Sequence, residues 1–487
     1  TAANDAHEAV NNILAAKGYT VASTNGKMTA DGDADLTYAW TEDKLDTTTY
    51  SVSENGTAIT NQLSCADPNL YDGEDNTVTW LSRSDWNGTL PTETVKLALT
   101  EQLKKDLQDI RYDPADYEAV NLPAMGKNNG VTLYDMIGLD YDDPKWNDLL
   151  DNLTFDEMNT LIGDAFHWTM PVKSIEAPGT RDENGPQGLT ASLLGSGATQ
   201  LTATAFTSED VMAATFNTDL MTAVGTIIGN NCLSANIACM YGPDGGRNFE
   251  YYSEDGFLSG MMSAYEVAAI QEKGVHVVMK HFALNDCEQD RIGLGVWINE
   301  QAAREIYLKA FQAPIEVGNG NGVMIAYTRW GAVWSGGNAG LVNGILRGEW
   351  GCDGMVITDN VLNVYVNGPD GVLAGVSIYD AMMPYVTDKL PEYKNDGVIV
   401  SAMREACHHN LYAIANSCGM NGVGANTTIK LTRPTVITMV IIITCAAAFF
   451  CLLGIVLWIF GVRKLRKTEE YKAYKSFLKD QKAAKKA

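Results

Sequence analysis

Asp359 ends a short apolar run, Met355–Ile357, with Thr358 between them, and two similar runs end in groups suited to work beside it. Val275–Met279 leads into Lys280 and His281, and Val323–Ala326 leads into Tyr327 and Arg329. A carboxylate at the end of an apolar strand is partly desolvated yet open to hydrogen-bond donors, which suits a nucleophile or a base. Lysine, histidine and arginine nearby donate charge-assisted hydrogen bonds to polar substrate atoms and favour the ionised carboxylate. A lone strand-terminal aspartate is more often a cap or turn residue, so the argument rests on three strand ends converging.

The elements that must position these groups alternate. Between the first two runs Asn299–Glu316 has a helical pattern opened by an Asn cap, and between the last two Ala339–Trp350 does the same. The pattern is βαβαβ, and with polar residues gathered after every strand it predicts an α/β fold of (β/α)8-barrel type, whose C-terminal strand ends form the site. Residues 143–420 are assigned to this barrel, which opens near a helix capped by Thr154 and Glu157. Residues 1–112, with a helix at Ala6–Lys17, a strand-like run at Thr77–Leu81 and a helix at Thr92–Asp109, are expected to be part of an α/β sandwich domain; residues 113–142 form a linker. Thr1 opens directly into helical sequence, as a processed or truncated start would.

Thr435–Val462 runs for 28 residues without a charge, where about 20 apolar residues span a bilayer. It is expected to be a single transmembrane helix, with 421–434 as its stalk. Residues 463–487 carry ten Lys/Arg against three Asp/Glu, which leaves −32 on residues 1–462 out of a total of −25. The positive-inside rule therefore places this tail in the cytosol and the body outside the cell, with Tyr471–Lys486 as a basic helix lying on anionic lipid or simply solvated. The acidic body argues against a nucleic-acid partner. Nine cysteines show no CxxC spacing, so neither a disulfide framework nor a metal cluster is assigned. Gly318–Gly322 lacks the following helix that a phosphate cradle needs, and no cofactor is expected.

Read together, LTFDEMNTLIG, NGPQGL (Asn184–Leu189), GGRNFEYYSEDGFLSG (Gly245–Gly260), KHFALNDCEQDR (Lys280–Arg291), NEQAAREIYLKAF, VMIAYTRWGAVWSGGN and LRGEWGCDGMVITDN (Leu346–Asn360) resemble glycoside hydrolase family 3 over Asp143–Asn421. The resemblance implies a retaining β-glycosidase of β-glucosidase type, acting outside the cell on oligosaccharides or β-glycosides. Asp359 matches the nucleophile that forms a covalent glycosyl ester. Lys280, His281 and Arg247 match sugar-binding residues, and Tyr327 matches a tyrosine whose hydroxyl holds the nucleophile. The sandwich-like part precedes the barrel, as in circularly permuted members.

Two positions depart from the family. Asn184 stands where the family has an aspartate that grips sugar hydroxyls, and Asn87 aligns with its acid/base glutamate. Asp85 is the expected substitute acid/base, and Trp86 is suited to stack on a sugar face. The stretch 231–245 is shorter than in the family, which leaves one barrel strand in doubt. The rival reading is a surface protein of glycosidase fold that binds sugar without cleaving it.

Overall fold

The computed structural model describes residues 20–24, 27–31, 51–71, 78–81, 98–108, 111–190, 203–242, 250–361, 366–381, 387–431 and 435–485. Asp85, Trp86, Asn87, Arg247 and the helix expected at Ala6–Lys17 lie outside these residues. The chain divides into two compact units, 1–60 and 61–487. The first holds an antiparallel pair, β1 (Thr20–Thr24) and β2 (Lys27–Asp31).

In the second unit five parallel strands lie in the order β3 (Asp182–Asn184), β4 (Cys239–Tyr241), β5 (His276–Phe282), β7 (Gly322–Ile325) and β10 (Met355–Thr358). All three runs read from the sequence are strands of this sheet. They were visible because a parallel strand covered on both faces is apolar throughout rather than alternating. Val323, Ile325, Val356 and Ile357 are at most 1% exposed, each contributing about 1.5–3 kcal/mol of burial. β4 forms inside the shortened 231–245 stretch and pairs on both sides, so the doubted strand is present.

Short segments complete the ring. Ile378 bridges Ile357 of β10 in parallel, Asp380 bridges Ala165 in parallel, and Trp168 pairs antiparallel with Arg181 beside β3. The Asp182 N–H donates to the His167 carbonyl at 3.0 Å. The described residues thus supply seven staves to a closed α/β barrel. A separate small sheet joins β6 (Gly295–Val296), β8 (Arg329–Trp330) and β9 (Val333–Trp334).

Helices cover the barrel. α1 (Phe155–Gly163) starts at the expected capping box, with Thr154 and Glu157 exchanging side-chain-to-backbone bonds. α2 (Thr218–Ser234) packs on α3 (Gly256–Gln271), where Gly225 is required: a Cβ there would strike the Glu266 carbonyl. The helix expected from Asn299 is capped by that side chain and ends in α4 (Lys309–Glu316), and Gly340–Glu349 winds as a wider π-helix. The helix expected over 92–109 starts, among described residues, only at Glu101, because Thr100 is extended and caps it; Val78–Leu81 joins no sheet.

Residues 61–71 and 111–112 are fastened to the barrel by two carboxylates. Glu300 accepts from the Gln62 and Leu63 N–H groups at 2.9 Å while paired with Arg304, and Asp370 accepts from Arg111 and Tyr112 at 2.9 and 2.8 Å. At the other end α5 (Thr435–Leu465) is the one described helix long and apolar enough to cross a membrane, and α6 (Glu469–Ala484) follows it.

Candidate active site

Asp359 lies one residue past β10, and its N–H donates to the Ile325 carbonyl of β7 at 3.1 Å, which extends the ladder and fixes where the carboxylate begins. The side chain is 13% exposed, with Oδ2 3.2 Å from His281 Nε2 and 3.1 Å from Arg291 Nη1. Its other oxygen accepts from the Asn360 N–H at 2.7 Å. Two donors on one oxygen and a main-chain donor on the other hold the carboxylate in one orientation.

Lys280 and His281 are adjacent, and in a regular strand their side chains would face opposite ways. Here the β5–β7 register slips: Lys280 pairs with Met324 and Phe282 with Ile325, so two steps on β5 match one on β7. Such a bulge re-aims a side chain. His281 reaches Asp359, while Lys280 Nζ reaches Asn184 Oδ1, at the end of β3, at 3.3 Å and Glu250 Oε1 at 3.6 Å. Asn184 therefore contributes an acceptor to Lys280, and the counter-charge comes from Glu250.

The Tyr327 hydroxyl was expected on the Asp359 carboxylate. In the structure it donates to the Asn360 carbonyl, and the Arg291 guanidinium lies over its ring, 4.8 Å from the centroid. Tyr327 thus supports both the residue after Asp359 and the cation beside that carboxylate. Arg329, which follows β7 in the same way, donates to the Ala332 carbonyl at 2.9 Å.

Below the strand ends the barrel interior carries buried carboxyls. Burial pushes Asp182 up to about 7 although Thr180 and Tyr241 hydroxyls donate to it. Burial also holds Asp380 well above the usual carboxylate range, opposed by the His167 N–H and reinforced by the negative charge of Asp359. Burial moves the His167 imidazole the other way, below its ordinary value. All three shifts favour neutral forms, so the interior resists charge and the charged groups sit at the rim. A cavity of about 570 Å³ opens beside the site, walled by His281, Asn285, Tyr251, Asp286, Tyr307 and Phe311 among others. No group of three or more His, Cys, Asp or Glu side chains suited to a metal occurs among the described residues.

Arg291, Glu250, Asn285 and Glu288 were not singled out from the sequence. Arg291 and Glu250 lie inside quoted motifs, but on loops where a charge is ordinarily solvated, so nothing local marked them. Asp359, which Arg291 meets, and Lys280, which Glu250 meets, lie far along the chain.

Residues 189–371 match the family model described as the glycosyl hydrolase family 3 N-terminal domain. An exo-α-(1→6)-L-arabinopyranosidase of Bifidobacterium breve is 36% identical over 223 residues, 43% of this chain and 29% of that protein. A probable β-glucosidase I of Emericella nidulans is 31% identical over 231 residues, 46% of this chain and 27% of that protein. The chain therefore spans under a third of the length of these relatives. Among solved structures, β-glucosidase 3B of Thermotoga neapolitana in complex with glucose aligns with a TM-score of 0.51 and 27% identity, over 56% of this chain and 43% of that one. With that match falling on β4, β5, β7 and β10, residues 189–371 are a glycosyl hydrolase family 3 N-terminal domain, and the chain that carries it is β-glucosidase-like.

Proposed function

We propose that this chain belongs to a retaining exo-β-glycosidase tethered to the outside of a cell membrane. The observation that carries the reading is the Asp359 carboxylate at the barrel mouth, held by His281 at 3.2 Å and Arg291 at 3.1 Å. Asp359 attacks the anomeric carbon and forms an ester as the leaving oxygen takes a proton from a carboxyl acid; water then opens the ester from the same face, with net retention. Asp85 in residues 1–112 is the proton donor and Trp86 stacks on the sugar. Lys280, backed by Glu250 and Asn184, and Arg247 hold the hydroxyls of the terminal residue. The sugars named for the two relatives, β-glucose and α-L-arabinopyranose, share an equatorial leaving group, so either is a candidate for the terminal position. α5 spans the bilayer with Arg463, Lys464, Arg466 and Lys467 on the cytosolic side, and α6 rests its lysines on anionic lipid.

The test is to incubate the full chain with an activated 2-deoxy-2-fluoro-β-glucoside and map the adduct by peptide mass spectrometry. Modification of the peptide bearing Asp359 is expected; hydrolysis with the label on another residue would overturn the assignment. Asn184 beside Lys280 favours one rival, a sugar-binding protein that no longer cleaves. That protein would bind glucose yet leave both an activated aryl glucoside and a disaccharide intact.

A further inference from the structure

Five side chains at the site close a ring. Asp359 Oδ2 lies 3.2 Å from His281 Nε2; His281 Nδ1 lies 3.4 Å from Asn285 Nδ2; Asn285 Nδ2 lies 3.0 Å from Glu288 Oε1; Glu288 Oε1 lies 3.4 Å from Arg291 Nη1; and Arg291 Nη1 returns to Asp359 Oδ2 at 3.1 Å. Only one assignment of donors and acceptors is consistent around it. An ionised carboxylate accepts and cannot donate, so the Asn285 atom facing Glu288 is the amide nitrogen. Turning the amide over would press its oxygen against the Glu288 carboxylate. The same NH2 directs its second hydrogen at His281 Nδ1, which must then offer a lone pair. The ring proton is left on Nε2, facing Asp359. Imidazolium is excluded for the same reason, because a protonated Nδ1 would meet a donor.

We infer that Glu288, acting through Asn285, holds His281 as the neutral Nε2–H tautomer, so that Asp359 receives a hydrogen bond from an uncharged imidazole and an ion pair from Arg291. Glu288 and Asn285 are positioning residues. The division of labour has a chemical point: a neutral donor orients the carboxylate without competing for a proton during attack, while a guanidinium cannot give one up. The inference deepens the reading of Asp359 as the reacting carboxylate and rests on it for its purpose, though the tautomer itself is independent of catalysis.

The experiment labels the full chain with 15N-histidine in detergent and records long-range proton–nitrogen spectra at neutral pH. The six histidines give six rings, and His281 is identified by the signal lost in His281→Gln. A protonated Nε2 with a bare Nδ1 is expected in the wild type. In Asn285→Asp a carboxylate faces Nδ1, and that nitrogen is expected to gain a proton while the other five rings keep their positions, which shows that the fold is intact. A wild-type His281 protonated on Nδ1, alone or with Nε2, would overturn the inference. So would an Asn285→Asp ring that stays bare at Nδ1. Because the readout is spectroscopic, a wild type that shows the expected tautomer but hydrolyses no glycoside would remove the proposed function and leave this assignment standing.

Discussion

Lys280 Nζ lies 3.6 Å from Glu250 Oε1 and 3.3 Å from Asn184 Oδ1, and the lysine and glutamate side chains are 3% and 6% exposed. Glu250 brings a negative charge to this buried cation. Removing one member of a buried pair leaves the other charge uncompensated, at a typical cost of about 3 kcal/mol or more. Glu250→Gln should therefore lower the melting temperature markedly and weaken glucose binding, and Glu250→Asp should recover part of both. Thermal melts with and without glucose check this; an unchanged melt would show that Glu250 is dispensable.

Arg291 places a formal positive charge 3.1 Å from Asp359. Arg291→Met keeps much of the side chain's bulk over the Tyr327 ring but removes that charge. A preorganised electrostatic group at a reacting atom typically supplies a factor of about a hundred or more, so kcat/KM on an activated aryl glucoside should fall by about that factor. Arg291→Lys should fall less. Steady-state kinetics on both variants decide it, and a change confined to KM would place Arg291 in sugar binding instead.

Asp182 links the barrel interior to pH. Its carboxyl, with an ordinary value of 3.8, rises to about 7 in the fold. A group that holds its proton more tightly when folded contributes its full stabilisation below its unfolded value and loses it as pH climbs through the folded one. From pH 5 to pH 8 the wild type should thus lose stability through this group, by roughly 2–3 kcal/mol. Asp182→Asn has no proton to lose, so its melting temperature should improve relative to the wild type across that interval. Melting curves at the two pH values test this, and a constant gap would contradict it.

Asp85 is assigned the acid role. A general acid contributes about 10²–10⁴-fold, and most where the leaving group is poor. Asp85→Ala should slow disaccharide cleavage by about that range while leaving activated aryl glucosides within a few-fold. Equal rates for variant and wild type on the disaccharide would move the role elsewhere.

What the sequence disclosed follows from where the information lies. β5, β7 and β10 were legible because strands buried on both faces are written as unbroken apolar runs, and Asp359 was legible as the polar residue that stops one. The Asn299 and Thr154 caps were legible because their partners lie three residues away. Arg291 was not, because its partner Asp359 is 68 residues on and only the side-by-side pairing of β5, β7 and β10 joins the two. The bulge that lets Lys280 and His281 serve the same mouth is a matter of pairing between strands, which no local pattern records. The bond from the Tyr327 hydroxyl to the Asn360 carbonyl joins residues 33 apart, and no local pattern announces it.

The sharing of Arg291 between Glu288 and Asp359 has a further consequence for a two-step reaction. In the proposed mechanism Asp359 is no longer an anion once esterified, and a guanidinium matched to it alone would stand over the intermediate as a bare cation, opposing the oxocarbenium-like state through which the ester must break. With Glu288 3.4 Å away, that cation would keep a counter-ion throughout such a turnover. On that mechanism the site is electrically balanced for the halfway species as well as for the resting one.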